Sequence, residues 1–263
     1  RQDNPDALRT TLARHTRSVW VGRGENQSRW LLLEAAGNLI QACDDAGRSL
    51  REDARSQDSL IDFYLSTLHQ VDRLQREFEG AASDQIYLDD GGQIGEIVER
   101  ARRAYRKLMD GVQEIFLRHL EKEGWPPAGR LANADAFDKV IAPLLQHSGR
   151  RVALLLIDAL RYELGVELHK QLAGDSPVDL QPAFAALPSV TAVGMAALLP
   201  GAGQNLTLAR QDAGVTPVLG DQTVANVTQR MNVLRQRYGQ RFHEVGLLDF
   251  VQNKAELPDT VEL

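Results

Sequence analysis

Six consecutive apolar residues, Val152-Ala153-Leu154-Leu155-Leu156-Ile157, follow Arg150-Arg151 and stop at Asp158. A run that is apolar at odd and even positions alike has two faces to bury. It predicts a central strand of a parallel sheet covered by helices on both sides, because a strand with one wet face alternates instead. A helix is expected at once afterwards, from about Arg161 to Leu172, since Leu160, Leu164, Leu168 and Leu172 recur every four residues. Strand, acidic residue and helix open a βα unit. Open α/β sheets carry their chemistry at the carboxyl ends of their strands, which is where Asp158 stands. A carboxylate there can ligate a hard or borderline divalent metal, and it can equally cap the following helix; both readings stand.

Beyond this unit the sequence predicts a loop containing Pro177, a strand from Leu180 to Ala186, and a small-residue helix from Ala192 to Leu199 closed by Pro200 and Gly201. Asn226 to Arg237 reads as one more helix. Leu187-Pro188-Ser189-Val190-Thr191 puts two hydroxyls at a helix entrance, where unpaired backbone N–H groups and the positive end of the dipole favour an anion. A hydroxyl so placed can attack phosphorus if a metal lowers its pKa, and Ser or Thr at that spot can also be an ordinary cap. Arg161 can reach a phosphate oxygen on the same edge, or pair with Glu163.

The chain before Arg150 has a different character. Of its first 150 residues 45 are charged, against 21 of the remaining 113. Its apolar residues keep helical spacing: Ile61, Tyr64, Leu65, Leu68, Val71, Leu74 and Phe78 form one stripe, and Ile94, Ile97, Val98, Ala101, Tyr105, Leu108, Val112, Ile115, Phe116 and Leu120 a second. Shorter helices are expected over Arg29 to Cys43 and Ala136 to Leu145. The expected organisation is therefore a helical domain, 1–149, followed by an α/β part, 150–263.

Charge and cysteine usage bound the function. Thirty basic against 36 acidic residues give a net charge of −6, so no global basic field gathers nucleic acid. Arg102, Arg103, Arg106 and Lys107 cluster on one helix and can meet phosphates locally, although Glu96, Glu99 and Asp110 offer ion-pair partners at helical spacing. The single cysteine, Cys43, excludes an internal disulfide and a cysteine-built zinc site. No apolar run reaches the ~18 residues of a membrane span and no signal-peptide pattern opens the chain, so no membrane association and a cytoplasmic location are expected. Gly22-Arg23-Gly24 is an isolated Gly-x-Gly with Gln27 where the dinucleotide fingerprint has its third glycine. The six histidines show no metal-ligand spacing. Arg1 rather than Met opens the sequence, and a piece of a longer protein is expected.

Leu156-Ile157-Asp158-Ala159-Leu160-Arg161-Tyr162-Glu163, followed by Leu187-Pro188-Ser189-Val190-Thr191-Ala192-Val193-Gly194-Met195-Ala196-Ala197-Leu198-Leu199-Pro200, resembles the PglZ family. That resemblance implies an alkaline-phosphatase-like α/β domain and a place in BREX or phage growth limitation systems. It implies two metal ions, usually zinc, with Asp158 as a ligand and Thr191 as both ligand and nucleophile; Ser189 is the fallback nucleophile. The superfamily's later Asp-His ligands have no counterpart after Thr191, so the resemblance implies an incomplete site, with no hydrolysis by this chain alone. It also implies partners among the other system components, such as a methyltransferase or a small adaptor, docking on the helical part of a scaffold.

Overall fold

In a computed structural model of the chain, the structure describes residues 25–83, 93–146, 152, 154–211, 214–246, 248 and 252. The Gly22-Arg23-Gly24 motif, His15, His147 and the expected boundary at 149/150 lie outside the described residues. The chain divides into two compact units that interleave in sequence: 1–124 with 161–180, and 125–160 with 181–263.

The first unit is helical, as its periodicity predicts. Helix α1 (Glu25–Asp53) buries Leu32, Ala36, Leu39, Cys43, Ala46 and Leu50, an alternating four-three spacing that keeps one stripe on one side of a helix. Ser56 starts α2 (Gln57–Phe63) with a capping box: its hydroxyl accepts from Ser59 N–H while Ser59 Oγ accepts from Ser56 N–H. A π-helical turn, Tyr64–Leu68, joins α2 to α3 (His69–Ser83). Helix α4 (Gln93–Glu123) presents Ala101, Leu108 and Ile115 at seven-residue intervals to the same core, which also takes Leu68, Val71 and Phe78. Gly111 of α4 faces Leu50 of α1, where an added Cβ would stand 3.4 Å from a Leu50 methyl.

A buried carboxylate meets two phenols inside this bundle. Asp72 of α3 is 7% exposed and accepts the hydroxyls of Tyr64 (2.9 Å) and Tyr105 (2.8 Å), one on each carboxylate oxygen. Both phenols are pushed up, first by burial and then by the Asp72 charge.

The second unit begins with α5 (Asn133–Ala136), a π-turn Phe137–Ile141 and α6 (Ala142–Leu145), and it includes no part of α7 (Tyr162–Leu172), which belongs to the helical unit. Helices α8 (Thr191–Ala197) and α9 (Ala202–Asn205) lead into an antiparallel sheet, β1 (Leu206–Gln211), β2 (Gly214–Leu219) and β3 (Gln222–Thr223), followed by α10 (Val227–Tyr238). Ala196, Leu199 and Val224 form its core with Leu206, Leu219, Val233 and Leu234. Asn226 and Gln229 make the capping box that starts α10.

A helical part followed by a mixed α/β part is thus observed, with two corrections. Residues 154–157 are neither strand nor helix and are exposed: Leu154 at 45%, Leu155 at 76%, Leu156 at 49% and Ile157 at 52%. The strand expected over Leu180–Ala186 reduces to a single parallel bridge between Ala132 and Phe184. An apolar run makes a buried strand only where neighbours cover it, and among the described residues none pairs with it. The sheet that does form is antiparallel and lies later in the chain.

Candidate functional site

Thr191 is placed by the segment that precedes it. Phe184 N–H donates to Leu131 O (2.8 Å), Asn133 N–H donates to Phe184 O (2.9 Å), and Asn133 Oδ1 accepts from Ala186 N–H (3.1 Å). Trp125 Nε1–H donates to Ala185 O at 2.7 Å and its ring meets that of Phe184 edge-on, with centroids 5.8 Å apart. These contacts fix residues 184–186, five residues before α8. Val193, Ala196 and Ala197 then bury one face of α8, which leaves its first residue, Thr191, exposed. At the other end of the unit's core, Gly201 with φ +78° turns the chain into α9, and its N–H donates to Asp138 Oδ2 at 2.8 Å.

Thr191 Oγ1 donates to Asp158 Oδ2 at 3.2 Å, although 33 residues separate them. The other carboxylate oxygen of Asp158 accepts from Ala159 N–H at 3.0 Å. Ala159 has φ +57°, a left-handed conformation that costs a non-glycine residue on the order of 1 kcal/mol and is found disproportionately at functional sites. Neither residue serves as a helix cap. Arg161 is the N-cap of α7 and Val190 that of α8, and neither makes a side-chain cap bond. The capping explanations for Asp158 and for the two hydroxyls therefore do not describe this geometry. Ser189 is exposed two residues upstream; Thr191 is the hydroxyl that meets the carboxylate.

Arg161 lies in the helical unit, where its Nη2 donates to Glu163 Oε1 at 3.1 Å. Glu163 is not a surface residue: its side chain is fully buried and also takes Arg76 Nε at 3.0 Å on Oε1 and Arg76 Nη2 at 3.1 Å on Oε2. Two guanidiniums thus neutralise one carboxylate, and the arginines remain part-exposed at 38% and 48%. Sequence reasoning treated Glu163 as one half of a surface pair and missed Arg76. A glutamate one residue into a helix, 87 positions from its main partner, carries no local signal of burial.

Other side chains singled out in the sequence have structural partners. Arg102 pairs with Glu79 across helices at 2.7 Å and with Glu99 at 3.5 Å, and Arg106 pairs with Glu99 at 3.6 Å. His69 meets Tyr64 O and the Tyr162 ring, His119 meets Ala54 O and Glu123, and His169 meets Val178 O. The Cys43 thiol is pushed up to about 12 by burial, then by the Asp44 and Asp72 charges, which keeps it protonated.

Asp158 and Thr191 fit one edge of a divalent-metal site: adjacent oxygens on a tetrahedral zinc stand roughly 3.3–3.6 Å apart, given bond lengths of about 2.0–2.2 Å. Two oxygens are fewer than the four ligands such an ion takes. Among the described residues no group of three or more His, Cys, Asp and Glu side chains is placed to hold a metal. Nor is any described helix long and apolar enough to cross a membrane.

Residues 136–257, which include the aspartate that meets a threonine at the start of a helix, match the model of the "BREX system PglZ alkaline phosphatase-like domain". Over those residues the chain is similar to that family's domain. It is 29% identical over 185 residues, 64% of its length, to the alkaline phosphatase-like protein PglZ of Bacillus cereus (strain H3081.97). A 90-residue stretch, 33% of its length, is 36% identical to the alkaline phosphatase-like protein BrxZ of Escherichia coli O9:H4 (strain HS). The matched regions span only 20% and 10% of those relatives. No solved structure matches the chain.

Proposed function

We propose that this chain is part of a BREX-type phage-defence protein whose alkaline phosphatase-like domain hydrolyses a phosphoester or phosphodiester. The carrying observation is the 3.2 Å hydrogen bond from Thr191 Oγ1 to Asp158 Oδ2. The carboxylate holds the hydroxyl hydrogen, which turns the Oγ1 lone pairs away from Asp158 toward solvent and an incoming phosphorus. Thr191 Oγ1 then forms the new P–O bond, its proton passes to the Asp158 side, and the substrate's alkoxide leaves and is protonated from water. Water attack on phosphothreonine regenerates the hydroxyl. Asp158 and Thr191 would hold a divalent ion, zinc by family resemblance, and such an ion supplies a lowered hydroxyl pKa and neutralisation of phosphoryl charge. The remaining ligands would come from residues other than these two.

Helix α8 contributes less than its sequence suggested. At seven residues its macrodipole is short, and its first N–H groups are what it can offer a phosphoryl oxygen. The test is an assay of the full-length parent on a chromogenic phosphodiester with added zinc or manganese, beside Thr191→Ala and Asp158→Ala. Both variants are expected to fall to background with unchanged melting, because both side chains are exposed. Equal activity in all three removes the assignment.

A second reading, a scaffold that docks other system components, is favoured by a groove of about 540 Å³ between α1 and α4. Leu108 and Ile115 line it with Arg48, Arg51, Lys107 and Arg118, against the acids Asp44 and Glu114. That balance suits an acidic protein segment, such as one on the system's methyltransferase or adaptor, better than nucleic acid. Reversal of the four cations to Glu is expected to weaken capture of that partner by full-length protein; unchanged capture counts against docking there. A single buried cysteine accords with work in the reducing cytoplasm.

A further inference from the structure

We propose that Arg76 and Arg161, held from within by Glu163, form a binding site for a phosphate group on the helical unit. Glu163 is fully buried and grips each guanidinium by part of its donor set only. Arg76 donates from Nε to Oε1 at 3.0 Å and to Oε2 at 3.3 Å, and from Nη2 to Oε2 at 3.1 Å; Arg161 donates from Nη2 to Oε1 at 3.1 Å. Among the described residues nothing accepts from Arg76 Nη1, or from Nε and Nη1 of Arg161. With 38% and 48% of the two side chains exposed, these remaining N–H groups can meet a ligand from solvent. Since Oε1 takes a nitrogen from each arginine, those two nitrogens stand at most about 6 Å apart.

Two like charges at this separation repel, and an anion lying against their free edges relieves the repulsion. The other acids whose fields reach the network already have partners: Asp72 accepts the Tyr64 and Tyr105 hydroxyls, Glu77 pairs with Arg73 at 2.6 Å, and Glu167 pairs with Lys170 at 3.7 Å. Glu163 also fixes both arginine rotamers before any ligand arrives, so binding does not have to order two long side chains. That preorganisation separates this pair from the exposed ion pairs elsewhere on the helices. The donor count selects the ligand: a carboxylate offers two oxygens and is filled by one guanidinium fork, whereas a phosphate group offers three or more and can be shared by two. The group recognised is therefore phosphate, as the free ion or as an ester. This inference does not depend on the catalytic reading.

Full-length parent carrying Asp158→Ala, stripped of metal by chelation and dialysis, separates this site from the candidate catalytic pair. Titrated calorimetrically with inorganic phosphate at fixed ionic strength, it is expected to bind, and Arg161→Gln in the same background is expected to bind roughly tenfold or more weakly. Arg161→Gln leaves the Arg76 bonds to Glu163 in place, and its melting temperature without phosphate checks that the fold is kept. Should it melt lower, Arg161→Lys keeps the charge, removes the fork, and decides in the same way. A parent that binds no phosphate, or binding undiminished by loss of the Arg161 fork, overturns the proposal. A parallel titration with phenyl phosphate identifies the source of the group: tighter binding than inorganic phosphate assigns the site to an ester, and weaker binding assigns it to the free ion.

Discussion

At the scale of single residues, two carboxylates do opposite work. Asp158 is exposed, bonded to one hydroxyl and one backbone N–H, and open to a further ligand. Glu163 is sealed, with every oxygen taken by arginine. Arg76→Met is expected to destabilise the helical unit by about 2–4 kcal/mol, less than a fully buried pair because Arg76 is itself 38% exposed, as a shift in the urea midpoint will show. No effect would mean that Arg161 alone compensates Glu163. The motif residues were legible in the sequence as types: an acid after an apolar run and a hydroxyl before a small-residue helix. Their meeting was not, because it depends on Trp125, Leu131 and Asn133 holding residues 184–186, contacts made across more than fifty positions.

Among elements, those with strong periodicity formed close to where the spacing predicts. The stripe from Ile94 to Leu120 is α4, and Asn226 is the cap of α10. The β1–β2 hairpin was missed because Pro217 reads as a strand breaker. It is tolerated since Pro217 stands just beyond the two residues that β3 pairs, Val218 and Leu219, and its carbonyl still accepts from Val224 N–H. Two predictions belong at this scale. Asn226→Ala removes the α10 cap and is expected to cost about 1 kcal/mol in a chemical denaturation curve. The second concerns pH. Cys43, Tyr64 and Tyr105 have folded-state pKa values raised above their unfolded ones, so their contribution is complete below the unfolded values, about 8.5 for a thiol and about 10 for a phenol, and is lost as pH rises through the folded ones. Denaturation midpoints should hold to pH 8 and fall steadily toward about 12. Asp72→Asn should flatten that alkaline fall, because the Asp72 charge is the next cause after burial for both tyrosines. An alkaline limb as steep as in the parent would contradict the network.

For the whole molecule, the units interleave: the chain leaves the α/β unit two residues after Asp158, adds α7 to the helical unit, and returns at Gln181. The candidate site therefore joins two stretches of one unit that are separated by a helix of the other. The most direct test of the central claim is to quench the full-length parent during turnover of a phosphodiester and map phosphorylation by mass spectrometry. A phosphoryl group on Thr191, lost in Thr191→Ala together with activity, is the predicted result. Turnover that leaves Thr191 unmodified and survives its replacement, or a phosphoryl group on Ser189 instead, would contradict it.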